Sequence, residues 1–224
     1  GANANAVKEL VLASILISAR NIHTAIKYVE SVKDSEDLKN DIEHGKRAYV
    51  GFELPAKTLG VIGLGQIGVK VANAAHDLGM NVVGYDPLIT VDNAINLQPG
   101  VQNVDNLKEL LNKSDIMTIH IPHKKETENF ISEEEIIQLN DGAIIINLSR
   151  EIIVDSAAIL KALETRKIKT YVTDFPNEKM INHQDVIVMP HLGASTREAQ
   201  INCAVMVANS IKSYLESGNI VNSV

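Results

Sequence analysis

The sequence predicts an α/β fold in which helices cover both faces of a mostly parallel, doubly wound β-sheet. After Pro55, short apolar runs alternate with stretches of helical period, which is the pattern of repeated β-α units. Most of these runs are continuous in Val and Ile, as is typical of strands that are buried on both faces. A composition of 45% hydrophobic and 22% charged residues is that of a globular protein with a substantial core.

The chain begins with a helical pattern. Residues 6–32 carry apolar side chains at intervals of three, four and seven, which predicts one long helix. Residues 34–52 are charged and weakly periodic, with Gly45 and Gly51 as breakers, and predict a surface connection. We therefore expect a leading helix and its connection to occupy residues 1–54.

The β-α units are expected to occupy residues 55–194. Seven apolar runs predict strands, at residues 58–63, 81–85, 101–104, 116–121, 143–148, 170–173 and 185–189. Four stretches between them predict helices, at residues 66–78, 106–112, 132–139 and 155–165. A closing helix and tail are expected over residues 195–224, with Gly218 as the C-terminal cap of the helix.

The turn after the first predicted strand has the pattern G-x-G-x-x-G, formed by Gly63, Leu64, Gly65, Gln66, Ile67 and Gly68. The pattern is a weak signal alone, but here it lies between a strand and a helix, as a Rossmann-type dinucleotide site requires. The first glycine permits the tight turn, the second lets a pyrophosphate approach the backbone, and the third allows close packing of helix on strand. The alternative is that the glycines form a tight turn with no ligand.

A carboxylate follows the next predicted strand. Asp86 lies 18 residues after Gly68, where it can accept hydrogen bonds from the adenosine ribose hydroxyls. A 2′-phosphate would meet a like charge there, and Pro87 and Leu88 follow rather than an arginine that would neutralise it. The sequence therefore predicts NAD as cofactor rather than NADP. In the alternative, Asp86 simply begins an Asp-Pro turn.

Three polar residues follow later apolar strands. They are Arg150, Glu178 and His191. In an open α/β sheet, ligands bind beyond the carboxyl ends of the strands. We therefore expect these side chains to meet at one edge of the sheet, over the nicotinamide of the cofactor.

These residues belong to longer motifs that resemble a known family. Residues 147–150, 173–178 and 190–196 look like the successive signatures of the D-isomer-specific 2-hydroxyacid dehydrogenases. Residues 1–9 and 195–200, with the Phe-Pro-Asn-Glu form of the second motif, are similar to the bacterial D-3-phosphoglycerate dehydrogenases within that family. The resemblance runs over nearly the whole chain.

The resemblance implies NAD-dependent hydride transfer to or from a D-2-hydroxy acid, with 3-phosphoglycerate, a precursor of serine, as the expected substrate. Arg150 would bind the substrate carboxylate, and His191 would exchange the hydroxyl proton. Glu178 would favour the charged form of His191, and Asp174 would face the nicotinamide carboxamide. Other residues would line the cofactor cleft, namely His120, Pro122, Ser149 and Gly193. No metal site is expected.

The sequence departs from the family pattern in two ways. Glu151 stands where the family usually has Gly, which places an anion beside Arg150 and removes backbone freedom, so altered substrate affinity or loop conformation is expected. The family's N-terminal substrate-binding segment would precede Gly1. The leading and closing helices would link to it, so we expect them to expose apolar surface and expect a homodimer through the cofactor domain.

The composition of the chain argues against two classes of binding partner, nucleic acids and membranes. A net charge of −7 and 4% aromatic residues argue against a nucleic-acid surface. The longest apolar runs are shorter than a membrane span, and no signal peptide is recognised, so no membrane partner is expected. One cysteine, Cys203, cannot form an intramolecular disulfide, which fits a cytoplasmic protein, and its helical spacing predicts a core position.

Two other functions remain open at this stage. Another D-2-hydroxyacid dehydrogenase could share every motif, because the side chain of the substrate is selected largely outside these residues. A non-catalytic NAD-sensing scaffold, similar to the transcriptional co-repressors of the same family, could also keep Arg150, Glu178 and His191. The substrate, the oligomeric state and the presence of a regulatory domain beyond Val224 are not given by the sequence.

Overall fold

The computed structural model describes residues 1–220, and its strands form one twisted layer. The strands are β1 (Thr58–Ile62), β2 (Asn81–Tyr85), β3 (Val101–Asn103), β4 (Ile116–Ile119), β5 (Ala143–Asn147), β6 (Ile168–Thr173) and β7 (Val186–Val188). Within the described residues the sheet has seven strands in the order β3-β2-β1-β4-β5-β6-β7, and all neighbours are parallel. The predicted Rossmann-type sheet and its strand runs are confirmed.

The helices are α1 (Ala4–Ala19), α2 (Ile22–Val32), α3 (Leu38–Gly45), α4 (Gln66–Asp77), α5 (Val91–Ile95), α6 (Leu107–Lys113), α7 (Glu133–Gln138), α8 (Ser156–Glu164), α9 (Glu178–Ile181) and α10 (Arg197–Ser217). The helices predicted between strands and the closing helix are confirmed. Side chains of Asn106, Ser132, Asp155 and Thr196 accept hydrogen bonds from first-turn amides of α6, α7, α8 and α10. The short helices α5 and α9 were not predicted.

The core lies on both faces of the sheet. Along β5, Ile144 and Ile146 lie in one buried cluster with Leu59 and Val61 of β1 and with residues of α1 and α4. Ile145, which points the other way, lies in a second cluster with residues of α6, α7 and α8. Because both faces are covered, the strand positions are apolar without alternation, which explains why continuous Val and Ile runs predicted them.

The single long helix predicted for residues 6–32 is wrong, because the chain bends by 59° between α1 and α2. Asn21 has a left-handed backbone with φ of 52°, which interrupts the helix. Its side-chain amide donates to the carbonyls of Tyr49 and Val50, at 3.4 and 3.1 Å. Among the described residues no single helix has the length and hydropathy of a membrane span, although α1 and α2 together meet that test across their bend.

The connection predicted for residues 34–52 also has more structure than expected, since it contains α3 and a 3₁₀ helix (Lys46–Tyr49). The Tyr28 hydroxyl on α2 donates to the carbonyl of Asp41 on α3, at 2.6 Å. The Tyr28 and Tyr49 rings also pack, with centroids 5.3 Å apart. These tertiary contacts stabilise helical structure in a segment whose charge had suggested a loop.

The closing helix α10 has 21 residues, of which Ala199 is the buried one. Its apolar side chains are exposed, as expected, and include Ile201, Val205, Val207, Ile211 and Leu215. The prediction that Cys203 lies in the core is wrong, because it too is exposed on this helix. Gly218 caps the helix as predicted, with φ of 70° and its N–H donating to the Tyr214 carbonyl.

The order of the strands opens a crevice at one edge of the sheet. The chain runs outward from β1 through β2 to β3 and returns to the other side of β1 as β4, so the connections after β1 and β4 leave in opposite directions. Gly63 follows β1 and His120 follows β4, and the His120 N–H donates to the Ile62 carbonyl at 2.7 Å. The fold therefore brings the glycine turn beside His120.

The backbone of Asn21 can be tested with a pair of variants. Asn21→Gly and Asn21→Ala both remove the side-chain amide, but an alanine at positive φ also carries a Cβ penalty that outweighs the lower chain entropy of unfolded alanine. We expect the alanine variant to have a free energy of unfolding lower than that of the glycine variant by about 0.5–1 kcal/mol, measured by urea denaturation. An alanine variant as stable as the glycine variant would contradict the left-handed backbone.

Candidate cofactor and active site

The three glycines of the turn have three different surroundings. Gly63 has φ of 89°, which favours glycine, and a Cβ there would lie 2.6 Å from the His120 carbonyl oxygen. A Cβ on Gly68 would lie 1.8 Å from the Gly63 carbonyl oxygen, so α4 can approach β1 only without a side chain there. A Cβ on Gly65 would meet nothing within 4 Å. The middle glycine therefore faces open space, as a pyrophosphate approaching the backbone requires.

The N-terminus of α4 differs from those of α6, α7, α8 and α10. Its cap is Gly65, which has no side chain to accept hydrogen bonds from the first-turn amides. Uncapped amides and the helix dipole together favour an anion at this end of the helix. The backbone of Gln66, Ile67 and Gly68 in the first turn is thus suited to a phosphate, while the Gln66 side chain donates to Asn93 Oδ1 at 3.1 Å.

Asp86 ties the glycine turn to the end of β2. One carboxylate oxygen accepts from the Leu64 N–H and the other from the Leu88 N–H, each at 2.9 Å. A carboxylate has further lone pairs, so these two bonds leave Asp86 able to accept from ribose hydroxyls. Asp86, Gly63 and Gly65 line a cavity of about 360 Å³, which we call the turn cavity.

A second cavity, of about 290 Å³, lies beyond the ends of β4, β5 and β6, and we call it the histidine cavity. Among its lining residues are eight of the predicted ones, namely Ile67, His120, Pro122, Ser149, Arg150, Asp174, His191 and Gly193. His120, Ile121 and Pro122 line the turn cavity as well. The two cavities therefore share one wall, as the two ends of an extended dinucleotide site would.

His120 forms that shared wall as a neutral imidazole. Burial lowers its pKa from 6.5 to about 3, because desolvation disfavours the charged form. Its Nε2 lies 3.0 Å from the hydroxyl oxygen of Thr118, which is fully buried. Because the His120 imidazole stays uncharged at neutral pH, it is better suited to lining the cofactor site than to exchanging a proton.

Asp174 holds the loop that carries His191. The His191 N–H donates to the Asp174 carbonyl at 2.9 Å, and the Gly193 N–H donates to Asp174 Oδ2 at 3.0 Å. The other carboxylate oxygen, Oδ1, is buried and has no hydrogen-bond partner in the described residues. An unpaired buried acceptor is costly, and a carboxamide N–H of a nicotinamide would satisfy it. The unpaired Oδ1 of Asp174 and the open space beside Gly65 are the two observations that best show that the site fits the cofactor.

His191 itself has a strained backbone, with φ of 47°. Its ring packs against Phe175, with centroids 5.0 Å apart and planes inclined by 57°. The backbone bonds to Asp174 and this ring contact fix the imidazole at the rim of the histidine cavity, where it is exposed. Arg150 lies at the same cavity, exposed, with Nη1 donating to the Ser149 carbonyl at 2.6 Å.

The structure does not bring Glu178 to His191. Glu178 begins α9, whose first turn is capped by Asn177, and it lines a different surface cavity together with Lys161. Within the described residues it makes no ion pair with His191 at 4.0 Å or less. Asn147, Asn3 and Val7 were not predicted as site residues. Asn3 and Val7 line the histidine cavity, and only the tertiary position of α1 reveals them.

Sequence comparison with known proteins agrees with the cofactor site described above. Residues 12–193 match the family model of the NAD-binding domain of D-isomer specific 2-hydroxyacid dehydrogenases. The D-3-phosphoglycerate dehydrogenase of Methanocaldococcus jannaschii is 36% identical over 99% of the chain, which covers 42% of that protein. The one from Synechocystis is 40% identical over 95% of the chain, which covers 37% of that protein. The chain thus spans less than half the length of either relative.

Solved structures also resemble the fold. A glyoxylate reductase from Paecilomyes thermophila has a TM-score of 0.82 and 26% identity, over 98% of this chain and 65% of that one. The D-lactate dehydrogenase of Escherichia coli has a TM-score of 0.78 and 26% identity, over 98% of this chain and 67% of that one. Strand order, glycine turn and family match together establish an NAD-binding domain.

Gly65, the cap of α4, and Gly68, in its first turn, give a matched test of the cofactor site. We expect Gly65→Val to fold normally, because its side chain enters open space, but to raise the Kd for NADH at least about tenfold by blocking the approach to the backbone. We expect Gly68→Ala instead to lower the free energy of unfolding by about 1–3 kcal/mol through overpacking. NADH fluorescence titration and urea denaturation separate the two effects. Unchanged NADH affinity in Gly65→Val would place the pyrophosphate elsewhere.

His120 should make the free energy of unfolding depend on pH in the acidic range. The unfolded histidine titrates near 6.5 and the folded one near 3, so as pH falls between these values only the unfolded chain takes up the proton. The free energy of unfolding should fall on acidification through this window, with up to about 1.4 kcal/mol per pH unit from His120. We expect His120→Gln to reduce that slope in urea denaturation series. His44→Gln, at an exposed histidine on α3, is the control and should leave the slope unchanged.

Proposed function

This chain belongs to the D-isomer specific 2-hydroxyacid dehydrogenases as their NAD-binding domain, and on that premise we propose that it serves an enzyme that transfers hydride between NAD and a D-2-hydroxy acid. The observation that carries the proposal is the histidine cavity, in which Arg150, His191 and Asp174 meet at one sheet edge. The relatives are longer than this chain, so the activity belongs to the whole protein.

Each side chain of the cavity has a chemical task. NAD, when bound, supplies the hydride acceptor. His191 takes the proton from the substrate hydroxyl during oxidation and returns it during reduction, since an imidazole exchanges protons near neutral pH. Arg150 binds the substrate carboxylate, because a guanidinium offers a planar pair of donors that matches two carboxylate oxygens. The pairing of an anion-binding group with an acid-base group favours a 2-hydroxy or 2-oxo acid as the substrate.

Glu178 is proposed to stabilise the protonated form of His191. In the structure Glu178 begins α9 and makes no ion pair with His191 among the described residues. Phe175 is the side chain that packs against the imidazole. Glu178 therefore belongs to the proposal through its sequence motif.

The substrate that the relatives favour is 3-phosphoglycerate. Curated relatives between 31% and 40% identical are named D-3-phosphoglycerate dehydrogenases. The proposed reaction is its oxidation to 3-phosphohydroxypyruvate, the entry to serine biosynthesis. The other candidate is a second D-2-hydroxy acid, such as the substrates of the similar glyoxylate reductase and D-lactate dehydrogenase. The described residues of the histidine cavity bind the part of the substrate that all these acids share.

We also propose a homodimer formed through the cofactor domain, in a cytoplasmic protein. The exposed apolar side chains of α2, Ile22, Ile26 and Val29, supply a surface that a second copy could cover. The single cysteine and the absence of any disulfide in the described residues are compatible with a reducing compartment. Sedimentation of the protein over a range of concentrations would measure the oligomeric state.

The reaction is tested with the full-length protein and a panel of 2-oxo acids, following NADH oxidation. We expect phosphohydroxypyruvate to give the highest kcat/KM, and His191→Gln to lower kcat by about 10²–10⁴-fold while the Kd for NADH stays unchanged. His44→Gln serves as the control and should match the wild type. A His191→Gln enzyme with unaltered kcat would remove His191 from the mechanism. NADH binding without turnover of any acid would instead favour an NAD-sensing scaffold.

A further inference from the structure

We propose that Asn147 is a positioning residue that holds Arg150 at the histidine cavity, an inference that rests on the proposed role of Arg150. Asn147 is the last residue of β5 and is fully buried, whereas Arg150, three residues later, is exposed. The turn between them leaves the sheet at the edge where the substrate is expected. The interactions that hold this turn therefore determine the position of the Arg150 guanidinium.

The side-chain amide of Asn147 binds this turn on both sides. Its Oδ1 accepts from the Ser149 N–H at 3.1 Å and from the Ser149 hydroxyl at 2.8 Å. Its Nδ2 donates to the Arg150 carbonyl at 2.9 Å and lies 3.4 Å from the Tyr171 hydroxyl oxygen. An amide offers two donors and two acceptor sites, and all four are directed at these partners. Asn147 thus holds the turn at Ser149 and at the carbonyl of Arg150.

Apart from Asn147, the backbone of Arg150 is held by one further hydrogen bond in the described part of the chain, from the Ile153 N–H to its carbonyl at 3.4 Å. Among the described residues the side chain of Arg150 makes one hydrogen bond, from Nη1 to the carbonyl of Ser149, which belongs to the turn that Asn147 holds. Long exposed side chains keep many rotamers, so the position of the guanidinium depends on the position of its backbone. Misplacing a group that orients substrate by about 1 Å can cost on the order of 10²-fold in rate. Asn147 should therefore act on the reaction without touching the substrate.

Only an amide meets the needs of this position. An aspartate would have the right shape but would turn a buried carboxylate oxygen toward the Arg150 carbonyl, where a donor is needed. Burial raises the pKa of Tyr171 to about 12, so its hydroxyl keeps its proton and the contact with Asn147 stays uncharged. Asn147 also pairs in register with Thr173 of β6, which is followed directly by Asp174. Asn147, which holds the turn of Arg150, and Asp174, which holds the loop of His191, thus lie at the ends of adjacent strands.

The test compares Asn147→Ala with Asn73→Ala in the full-length protein. Asn73 is a matched control, because its side chain also bonds two backbone groups of a loop, donating to the Asn96 carbonyl at 2.8 Å and accepting from the Gln98 N–H at 2.9 Å. We expect Asn147→Ala to lower kcat/KM for the 2-oxo acid about 10- to 100-fold, and to raise the Kd for NADH by a smaller factor, because Asn147 also holds Ser149. Asn73→Ala should leave both values unchanged.

A double-mutant cycle with Arg150→Ala separates positioning from general destabilisation. If Asn147 acts through Arg150, Asn147→Ala should change kcat/KM less than about twofold once Arg150 is absent. A full loss of activity in that background overturns the proposal. If Asn147→Ala does not fold, Asn147→Ser replaces it in the same cycle, with the same expected results.

Hydrogen exchange gives a second readout that needs no turnover. The Ser149 amide should exchange faster in Asn147→Ala than in the wild type, while the amides of β5 remain protected. Unchanged exchange at Ser149 overturns the proposal whatever the kinetics show. If the wild-type protein turns over no 2-oxo acid, the proposed function fails, and exchange at Ser149 alone decides whether Asn147 holds the turn.

Discussion

The close approach of α4 to β1 is the constraint on which the cofactor site depends. Because any Cβ on Gly68 would collide with the carbonyl oxygen of Gly63, the absence of a side chain brings the helix to the edge of the sheet. The uncapped amides of its first turn then face the crevice between β1 and β4. Asp86 fixes the same turn from the side of β2 through the Leu64 amide. The glycine turn, Asp86 and the wall formed after β4 thus lie together at one edge of the sheet.

The residues expected to do chemistry converge because they follow neighbouring parallel strands. Arg150 follows β5, Asp174 follows β6 and His191 follows β7, so all three leave the sheet at its carboxyl edge. Their supports differ. Arg150 depends on a turn held from within by Asn147, whereas His191 depends on a loop held from the adjacent strand by Asp174. The second arrangement tolerates the strained backbone of His191, since two hydrogen bonds to Asp174 keep the loop in place.

The sequence predicted what depends on local pattern and missed what depends on distant contacts. Both faces of the sheet are covered, so its strands appear as continuous apolar runs, and the three glycines each have the surroundings that their motif implies. The bend at Asn21 could not be predicted, because the apolar period continues through it and carbonyls 28 and 29 residues away stabilise it. Cys203 was misplaced for a related reason: helical spacing on α10 indicates an apolar face, but not whether anything in this chain covers it.

Glu151 shows how the structure changes the meaning of a sequence difference. A residue that replaces the family's usual glycine would be strained at positive φ, yet Glu151 has negative φ and opens a 3₁₀ helix (Glu151–Ile153), so its backbone needs no glycine. Its carboxylate makes no ion pair with Arg150 in the part of the chain described. Among the described residues Arg150 is therefore free of an ion pair with Glu151, and backbone strain is not the way in which Glu151 could affect the site.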